Sequence, residues 1–411
     1  MTAKIPKHWK IKKLGEIANI SSGTTPFRKN PLFYDNADIP WVKTTDLNNS
    51  YITTTEEKVS MYALNNTSLR LYPTNTVLVA MYGGFNQIGR TGKLAMEATI
   101  NQALSALVLK NDDVNSDYLL FWLNANVEKW KRFAGSSRKD PNINGKDVAE
   151  FSILIPPLEE QEKIAEILLN CDKAIRLTTQ IITQLKQHNQ GLAQQLLTGE
   201  KRVKGFEKSV WKEVRLGEIG STYNGLTSKS KEDFGEGKAY IPYLNIFSNH
   251  IVDSAAFELV KIGVDDKQNK VIYGDILFTI SSETPDEVGM SSVMLSNIDE
   301  LYLNSFCFGF RLYSFDNLLP QYACYLFRNK DFREEIIRLA QGSTRFNLSK
   351  SEFLKTRVFL PTLTEQNAIA QILDTAHQEL KLYEQKLQLL QAQKKTLMQK
   401  LLTGEVLTIK K

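Results

Sequence analysis

The residues most suggestive of chemistry form a glycine-rich stretch, Gly83-Gly84 followed by Gly89-Arg90-Thr91-Gly92-Lys93. Backbone amides in such a loop can cradle a phosphate, but a nucleotide-binding P-loop requires a glycine, four residues and then Gly-Lys-Ser/Thr. Here Leu94 follows Lys93, and position 87 is not a glycine. The stretch does not predict nucleotide hydrolysis. We interpret it as a loop that contacts a DNA backbone or as a turn that only changes the direction of the chain.

Other residue types that could support catalysis stand in patterns that do not. The run Asn30-Pro31-Leu32-Phe33-Tyr34 lacks the second proline of the Asn-Pro-Pro-aromatic motif, and no Gly-x-Gly loop precedes it. The acidic pair Glu159-Glu160 opens a helical pattern, where negative charge favourably meets the helix dipole. The four histidines are scattered: His8, His188, His250 and His377. No catalytic, metal or cofactor-binding residue is predicted.

Loops rich in hydroxyl, amide, aromatic and basic side chains remain, three in each half of the chain. Arg and Asn can bond base edges, while Ser, Thr and Lys can hold phosphates. The alternative for any one of them is an ordinary polar surface. The residues predicted to contact DNA are Thr24, Thr25, Arg28, Lys29, Tyr82, Gly83, Gly84, Arg90, Ser136, Ser137, Arg138, Lys139, Thr227, Lys229, Ser281, Ser282, Ser343, Thr344, Arg345 and Asn347.

The composition is that of a globular protein, with 42% apolar and 24% charged residues. The formal net charge of +5 permits a polyanionic partner without requiring one. Three widely spaced cysteines favour a reducing compartment. The longest apolar runs fall far short of the roughly 20 residues that cross a membrane. We therefore expect a soluble, cytoplasmic protein with no membrane association.

The chain repeats itself once. Trp9 with Leu14-Gly15-Glu16-Ile17 recurs as Trp211 with Leu216-Gly217-Glu218-Ile219. Residues 156–200 match residues 361–405 at 18 of 45 positions without a gap, including Glu-Gln near the start and Leu-Leu-Thr-Gly-Glu at the end. A repeat this long indicates duplicated domains and not a solenoid.

Each repeat ends in a long helical pattern that stops at Thr-Gly, a common helix end. Apolar residues alternate at steps of four and three over more than four heptads, which predicts a coiled-coil seam. The seam residues predicted for the two helices are Ile164, Leu168, Cys171, Ile175, Thr178, Ile182, Leu185, Asn189, Leu192 and Leu196, and Ile369, Leu373, Ala376, Leu380, Tyr383, Leu387, Leu390, Lys394, Leu397 and Leu401.

A helix of about 40 residues is roughly 60 Å long, and its apolar stripe must be buried. The partner of matching length is the other copy, paired in parallel or antiparallel fashion. We favour the antiparallel arrangement because it relates the two domains by a pseudo-two-fold axis, which duplex DNA also possesses. Asn189 and Lys394 occupy the same seam position in the two copies; this polar position either fixes the register or is a solvated defect.

The fold class predicted is α+β, with two mostly-β domains separated by two long antiparallel coiled-coil helices. The boundaries expected are 1–155 for the first domain, 156–203 for the central helix, 204–360 for the second domain and 361–411 for the C-terminal helix. Each domain also carries one short helix ahead of its Gly-Ser loop, around residues 118–132 and 320–340. The strands are indicated by short β-branched and aromatic runs between turns.

With these features the chain closely resembles the specificity subunits of type I restriction–modification enzymes over its whole length. The resemblance rests on the duplicated Trp…Leu-Gly-Glu-Ile opening, the Pro-Pro-Leu-Glu-Glu-Gln-Glu-Lys-Ile-Ala segment at 156–165 and the Leu-Leu-Thr-Gly-Glu ends. The second segment departs slightly, since Thr362 replaces the second proline.

The resemblance implies two target-recognition domains, each reading one half of a bipartite double-stranded DNA target, with the paired helices setting the gap. It also implies two methyltransferase subunits and restriction subunits as partners. S-adenosylmethionine and ATP would belong to those partners, so no cofactor is expected here. Two rival classes are a stand-alone methyltransferase or nuclease, which the missing motifs disfavour, and a protein–protein scaffold with two peptide- or subunit-binding β domains.

Overall fold

A computed structural model describes residues 5–84, 86–133, 142–342 and 344–408. The chain divides into two compact units. Unit 1 comprises Met1–Thr179 and Gln385–Lys411, and unit 2 comprises Gln180–Glu384. Each unit therefore contains one globular part of the repeat and segments of both long helices. Helices and sheets are mixed in both units, as the sequence predicts.

Unit 1 is built on short strands and helices. Its strands are β1 (Lys10–Lys13), β2 (Ala18–Ser22), β3 (Ile39–Val42), β4 (Tyr51–Ile52), β5 (Glu57–Val59), β6 (Val77–Ala80), β7 (Thr91–Leu94), β8 (Thr99–Ile100), β9 (Leu104–Leu109) and β10 (Ser152–Ile155). Its helices are α1 (Leu14–Ile17), α2 (Met61–Asn66), α3 (Ser116–Ala125), α4 (Val127–Phe133), α5 (Gly145–Glu150) and the first part of α6 (Leu158–Leu197).

The centre of unit 1 is a five-stranded sheet in the order β2-β9-β6-β7-β4, accompanied by the sheets β5-β3-β8 and β1-β10. Strand β6 is apolar and buried throughout, because helix α3 covers one face of its sheet with a run of buried side chains, Tyr118 to Leu123. The same core includes Ile164 and Leu168 of α6. The sheets are thereby fixed to the beginning of the long helix.

Unit 2 repeats this plan with some differences. Its strands are β11 (Lys212–Arg215), β12 (Gly220–Asn224), β13 (Phe234–Ile241), β14 (Glu258–Val260), β15 (Ile276–Thr279), β16 (Ser281–Ser282), β17 (Ser291–Val293), β18 (Tyr302–Leu303), β19 (Cys307–Leu312), β20 (Ala340–Gln341), β21 (Phe346–Leu348) and β22 (Arg357–Leu360). Its helices are α7 (Leu216–Ile219), α8 (Tyr243–Ser248), α9 (Pro320–Leu326), α10 (Lys330–Leu339), α11 (Lys350–Lys355) and the first part of α12 (Leu363–Leu401).

The main sheet of unit 2 has the order β12-β19-β15-β17, and three smaller sheets have the orders β14-β13-β18, β16-β21-β20 and β11-β22. Phenylalanines dominate its core. Phe278 stacks on Phe308 with ring centroids 5.2 Å apart, and the edge of Phe353 meets both rings. Ile369 and Leu373 of α12 belong to the same core. In both units the globular part is therefore anchored on the first turns of the helix that follows it.

The long helices pair in antiparallel fashion within unit 1. At the start of α6, Ile164 and Leu168 share a core with Leu401 near the end of α12. Further along α6, Asp172 forms an ion pair with Lys394. Residue numbers on α12 fall as those on α6 rise, which defines the antiparallel direction.

Unit 2 shows the same direction of pairing. Leu196 and Leu197 at the end of α6 share a core with Ile369, while the Asn189 amide donates to the Ala376 carbonyl at 2.9 Å. Every seam position predicted from the heptads is buried or half-buried in its unit. The bounds of α6 and α12, at 40 and 39 residues, confirm the predicted helix lengths.

The repeated motifs of the sequence meet at the start of each long helix. In unit 1 the Trp9 indole donates to Glu160 Oε2 at 3.1 Å, and His8 Nε2 lies 3.1 Å from the same oxygen. Gly404, with φ of +73° just beyond α12, lies against the Trp9 ring. The Trp, Glu-Gln and Thr-Gly motifs are therefore parts of one junction.

The junction of unit 2 uses the equivalent tryptophan and glutamate, with an arginine as a further partner. Trp211 Nε1 donates to Glu365 Oε2 at 3.3 Å. The Arg202 guanidinium bonds both Glu365 oxygens at 2.9 Å, and the Ser209 hydroxyl also donates to this carboxylate. Gly199, with φ of +75°, contacts the Trp211 ring as Gly404 contacts Trp9.

The glutamine that follows each junction glutamate ties the helix to the globular part. Gln161 and Gln366 are fully buried, and each donates Nε2 to two backbone carbonyls and accepts from one backbone amide. At 2.8–3.0 Å, the partners are Asp113 O, Pro156 O and Asn115 N–H for Gln161, and Asn317 O, Pro361 O and Leu319 N–H for Gln366. This explains why the Glu-Gln pair recurs in the sequence.

One prediction about the short helices was wrong in detail. Each single helix expected before a Gly-Ser loop is two helices, α3 with α4 and α9 with α10. In unit 2 the break falls at Asn329, whose side chain accepts from the Phe332 amide and so caps α10.

Among the described helices, none combines the length and the apolar character that a membrane-spanning segment needs.

Candidate nucleic-acid interface

Four loops meet in each unit around one backbone residue, Met81 in unit 1 and Ile280 in unit 2. The Met81 amide donates to Ala103 O at 2.8 Å, and its carbonyl accepts from Ile143 N at 3.1 Å. In unit 2 the Ile280 amide donates to Phe306 O, and its carbonyl accepts from the Leu348 amide, both at 2.9 Å. Three loops far apart in sequence are thereby held side by side.

A fourth loop joins them through a glycine. A Cβ at Gly23 would lie 2.1 Å from Ile100 O, and a Cβ at Gly225 would lie 2.1 Å from Asn304 O. Only glycine allows this approach. We call the group the loop surface. It comprises residues 23–25, 81–84, 101–103 and 142–144 in unit 1, and residues 225–227, 280–282, 304–306 and 344–348 in unit 2.

Several predicted contact residues lie on the loop surface of unit 1. The Thr24 hydroxyl is 2.9 Å from that of Ser68, and Thr25 donates to Gln102. Tyr82 is 37% exposed, and Gly83 and Gly84 turn the loop with φ of +110° and +76°. The predicted residues Ser136, Ser137, Arg138 and Lys139 lie outside the described residues. The aromatic, hydroxyl and glycine part of the prediction is therefore gathered on one surface.

Two arginines of unit 1 have other partners. Arg28 pairs with Glu57, and its guanidinium lies 4.7 Å from the centre of the Trp41 ring. The ion pair raises the pKa of Arg28 and lowers that of Glu57. Arg90 donates to Leu47 O at 2.7 Å and braces the loop internally. Lys29, by contrast, is exposed.

Several residues of unit 2 that were predicted to contact DNA instead bond other residues of the same unit. Ser281 and Ser282 are buried in β16, and the Ser282 hydroxyl donates to Glu287 at 2.7 Å. Lys229 pairs with Asp266, and its side chain is only 8% exposed. Thr227 is exposed but bound to Gln268: its backbone amide and hydroxyl donate to Gln268 Oε1 at 3.0 and 3.5 Å, and its carbonyl accepts from Gln268 Nε2 at 2.9 Å.

The remaining predicted residues of unit 2 are exposed on its loop surface. Thr344, Arg345 and Asn347 lie at β21 and the loop before it, beside β16. The Asn347 amide donates to Arg345 O at 3.2 Å and steadies this segment. Ser343 lies outside the described residues. Arg345 and Asn347 are the residue types that bond base edges and phosphates.

Sequence reasoning missed Phe306 and Lys350. Phe306 is 53% exposed, and the Arg345 guanidinium lies over its ring at 5.5 Å. Lys350 bonds the Asn224 side chain, and partial burial lowers the pKa of its ammonium group. The internal alignment pairs Asn101-Gln102-Ala103 with Asn304-Ser305-Phe306, so a large ring at the tip of a repeated asparagine turn was available as an indication.

The loop surface of unit 2 carries the positively charged side chain of Arg345. In the described ranges, no carboxylate lies within 4.0 Å of the Arg345 guanidinium, whereas Arg311 is held by Asp275 at 2.7 Å. Among these residues there is also no group of three or more His, Cys, Asp or Glu arranged to hold a metal ion. The arrangement suits binding of a polar, anionic ligand.

The sequence matches the family described as type I restriction modification DNA specificity domain twice, over residues 6–187 and 208–392. The chain belongs to this family. The two matches coincide with the two copies of the repeat, each with most of the long helix that follows it.

Known members of the family agree with this assignment. The chain is 28% identical over 320 residues to the type I restriction enzyme MjaIX specificity subunit of Methanocaldococcus jannaschii, covering 71% of this chain and 70% of the relative. It is 22% identical to the EcoKI specificity subunit of Escherichia coli over 89% and 81% of the two chains.

Among solved structures, the type I restriction–modification S subunit from M. genitalium has a similar fold, with a TM-score of 0.57 at 16% identity over 98% and 97% of the two chains. A chain from a structure describing complex assembly and conformational transition of the type I system gives 0.61 at 17% identity over 98% and 100%. These likenesses concern the fold, and the family assignment rests on the sequence match.

Proposed function

We propose that this chain is the non-catalytic, sequence-specific DNA-binding subunit of a type I restriction–modification complex. Each loop surface reads one half of a bipartite double-stranded target. The observation that carries the proposal is the twofold construction of the loop surface, with the same four-loop backbone in both units and exposed Tyr82, Arg345 and Asn347 side chains upon it.

The long helices have a separate role in the proposal. α6 and α12 pair in antiparallel fashion in both units, set the gap between the two half-sites and dock two methyltransferase subunits, which restriction subunits join. S-adenosylmethionine and ATP act in those partners, and the complex works in the cytoplasm.

The proposal is tested by selecting bound sequences from a randomised duplex pool with the purified full chain. We expect a motif in two parts with a fixed gap, and an affinity that falls steeply with salt because phosphate contacts release counterions. Exchange of residues 204–360 for those of another family member should change only one half of the motif. Absence of salt-dependent DNA binding would instead support a protein–protein scaffold.

The role of the helices is tested by deletion. Removal of one matched heptad from both α6 and α12 should shorten the gap by roughly 10 Å, which is about three base pairs at 3.4 Å each. The control is a heptad removed from α6 alone, which misaligns the seam and should abolish binding. A motif with an unchanged gap after the matched deletion would refute the spacing role.

A further inference from the structure

Phe306 is an exposed aromatic ring that the fold of unit 2 does not require. The residue is 53% exposed, so about half of its surface stays in water and adds nothing to the burial that stabilises the core. The equivalent residue in unit 1 is Ala103, whose carbonyl makes the same hydrogen bond to the next strand. A small residue therefore supports the same backbone, and the ring must be explained by something outside the core.

The backbone holds this ring in a fixed place. The Phe306 amide donates to the Asn304 side chain at 2.9 Å, and its carbonyl accepts from Ile280 at 2.9 Å. Both peptide groups on either side of the ring are thus fixed before any ligand arrives. Pre-ordering of this kind lowers the entropy lost on binding.

A cation accompanies the ring. The Arg345 guanidinium lies 5.5 Å from the centre of the Phe306 ring, and no carboxylate in the described ranges lies within salt-bridge distance of it. The two side chains come from loops about 40 residues apart in sequence and meet at one place on the loop surface. An apolar ring beside a guanidinium group matches a base step and its flanking phosphate in duplex DNA.

We propose that Phe306 and Arg345 form one DNA-contacting element of unit 2, in which the ring contacts the base edges of a specific step and the guanidinium neutralises an adjacent phosphate. This inference rests on the proposed function and names a specificity-determining residue within it. Unit 1 lacks the element because Ala103 replaces the phenylalanine, so the contact belongs to one half-site only.

The test compares Phe306→Ala, Phe306→Leu and Arg345→Gln with the wild-type full chain, using the selected duplex and duplexes mutated at each position. Phe306→Ala should weaken binding to the selected duplex about tenfold, the usual effect of losing one base contact. It should also remove the preference at one or two adjacent positions of a single half-site. Phe306→Leu keeps apolar volume without the ring and should lose most of that preference.

Arg345→Gln has a different expected signature, because a phosphate contact carries no sequence information. It should weaken binding to all duplexes alike and reduce the slope of log affinity against log salt by about one.

The matched control for Phe306→Ala is Tyr313→Ala. Tyr313 is 68% exposed but follows β19, whereas Phe306 precedes it, so the two rings lie at opposite ends of the same strand.

The outcomes separate this inference from the proposed function. If the wild-type chain selects no motif, the proposed function fails. If the wild type selects a bipartite motif and Phe306→Ala selects the same motif with the same affinity, only the present inference is overturned. The same holds if Phe306→Ala alters the half-site that exchange of residues 204–360 leaves unchanged. A preserved melting temperature in each variant shows that altered binding is not due to unfolding.

Discussion

The junctions of the two units are built from the same groups, whereas the loop surfaces share a backbone but not their side chains. At both junctions a tryptophan donates to a glutamate, and a buried glutamine bonds three backbone groups. On the loop surfaces, unit 1 exposes Tyr82, where unit 2 buries Ser281. Unit 2 exposes Phe306 at the position of Ala103.

This difference reflects what each region must satisfy. A buried polar group that loses its partner costs free energy, so the junction tolerates few residue types. An exposed side chain that packs on nothing carries no such penalty. The loop surfaces can therefore differ between the units without cost to the fold.

The largest effect on stability is expected at the junction glutamines. Gln366→Leu removes the side-chain partner of two carbonyls and one amide in one buried and two part-buried contacts, which should cost about 4 kcal/mol. Gln161 bonds the equivalent two carbonyls and one amide in unit 1, so Gln161→Leu should destabilise that unit by a similar amount. Hydrogen exchange followed by mass spectrometry measures the two units separately. The control is Gln371→Ala, at an exposed position of the same helix, which should change little.

Equal losses in the two glutamine variants would support the view that the junctions are equivalent. A loss confined to one unit would show that the matching hydrogen bonds are not matched in energy.

Acidification should destabilise unit 2 more than unit 1. Burial, together with His377 and Arg328, lowers the pKa of His250 from 6.5 to about 4. Its folded-state pKa lies below the unfolded value, so the unfolded chain binds more protons between these values. Stability is therefore full above pH 6.5 and is lost as the pH falls towards 4, by about 3 kcal/mol for unit 2.

Unit 1 has Ser50 at the place of His250, since the Ser50 and His250 carbonyls accept from Lys93 and Val293 in the same way. The measurement is hydrogen exchange in each unit at pH values from 7 to 4.5, corrected for intrinsic exchange. His250→Phe should remove the His250 contribution in unit 2. An unchanged pH profile in that variant would show that another group is responsible.

The glycines that end the long helices should differ in sensitivity. Gly199 and Gly404 have nearly the same φ, +75° and +73°, so an alanine at either position costs about 1 kcal/mol of backbone strain. A Cβ at Gly404 would also lie 2.5 Å from Pro6 Cδ, whereas a Cβ at Gly199 meets nothing closer than 3.4 Å.

Gly404→Ala should consequently be the more destabilising, by about 2 kcal/mol beyond Gly199→Ala, because overpacking adds to the strain. Thermal unfolding of the two variants beside the wild type measures the difference. Equal losses would mean that Pro6 moves aside, and the control Gly191→Ala, at an exposed helical position without close neighbours, should stabilise slightly.

The sequence was sufficient for the repeat, the long helices and their seam, because periodic burial leaves a regular trace in residue type. It placed Arg345 and Asn347 among the contact candidates, and both are exposed on the loop surface. It could not show that Arg28 is held by Glu57 and Trp41, since those contacts depend on the folding of distant strands. For the same reason it did not reveal that the Trp, Glu-Gln and Thr-Gly motifs meet at one junction.

The smallest effect is expected where the two helices carry a polar residue in the seam. Lys394 pairs with Asp172 in unit 1, and Asn189 bonds the Ala376 carbonyl in unit 2. Both contacts are partly exposed, so Lys394→Leu with Asn189→Leu should change the free energy of unfolding by less than about 1 kcal/mol. A polar seam residue contributes specificity more than stability. We therefore expect the double variant to sediment as a mixture of oligomers when run beside the wild type. The control Lys395→Leu, at an exposed position one residue away, should sediment as the wild type does. If the double variant also sediments as the wild type, the polar position is a solvated defect with no role in register.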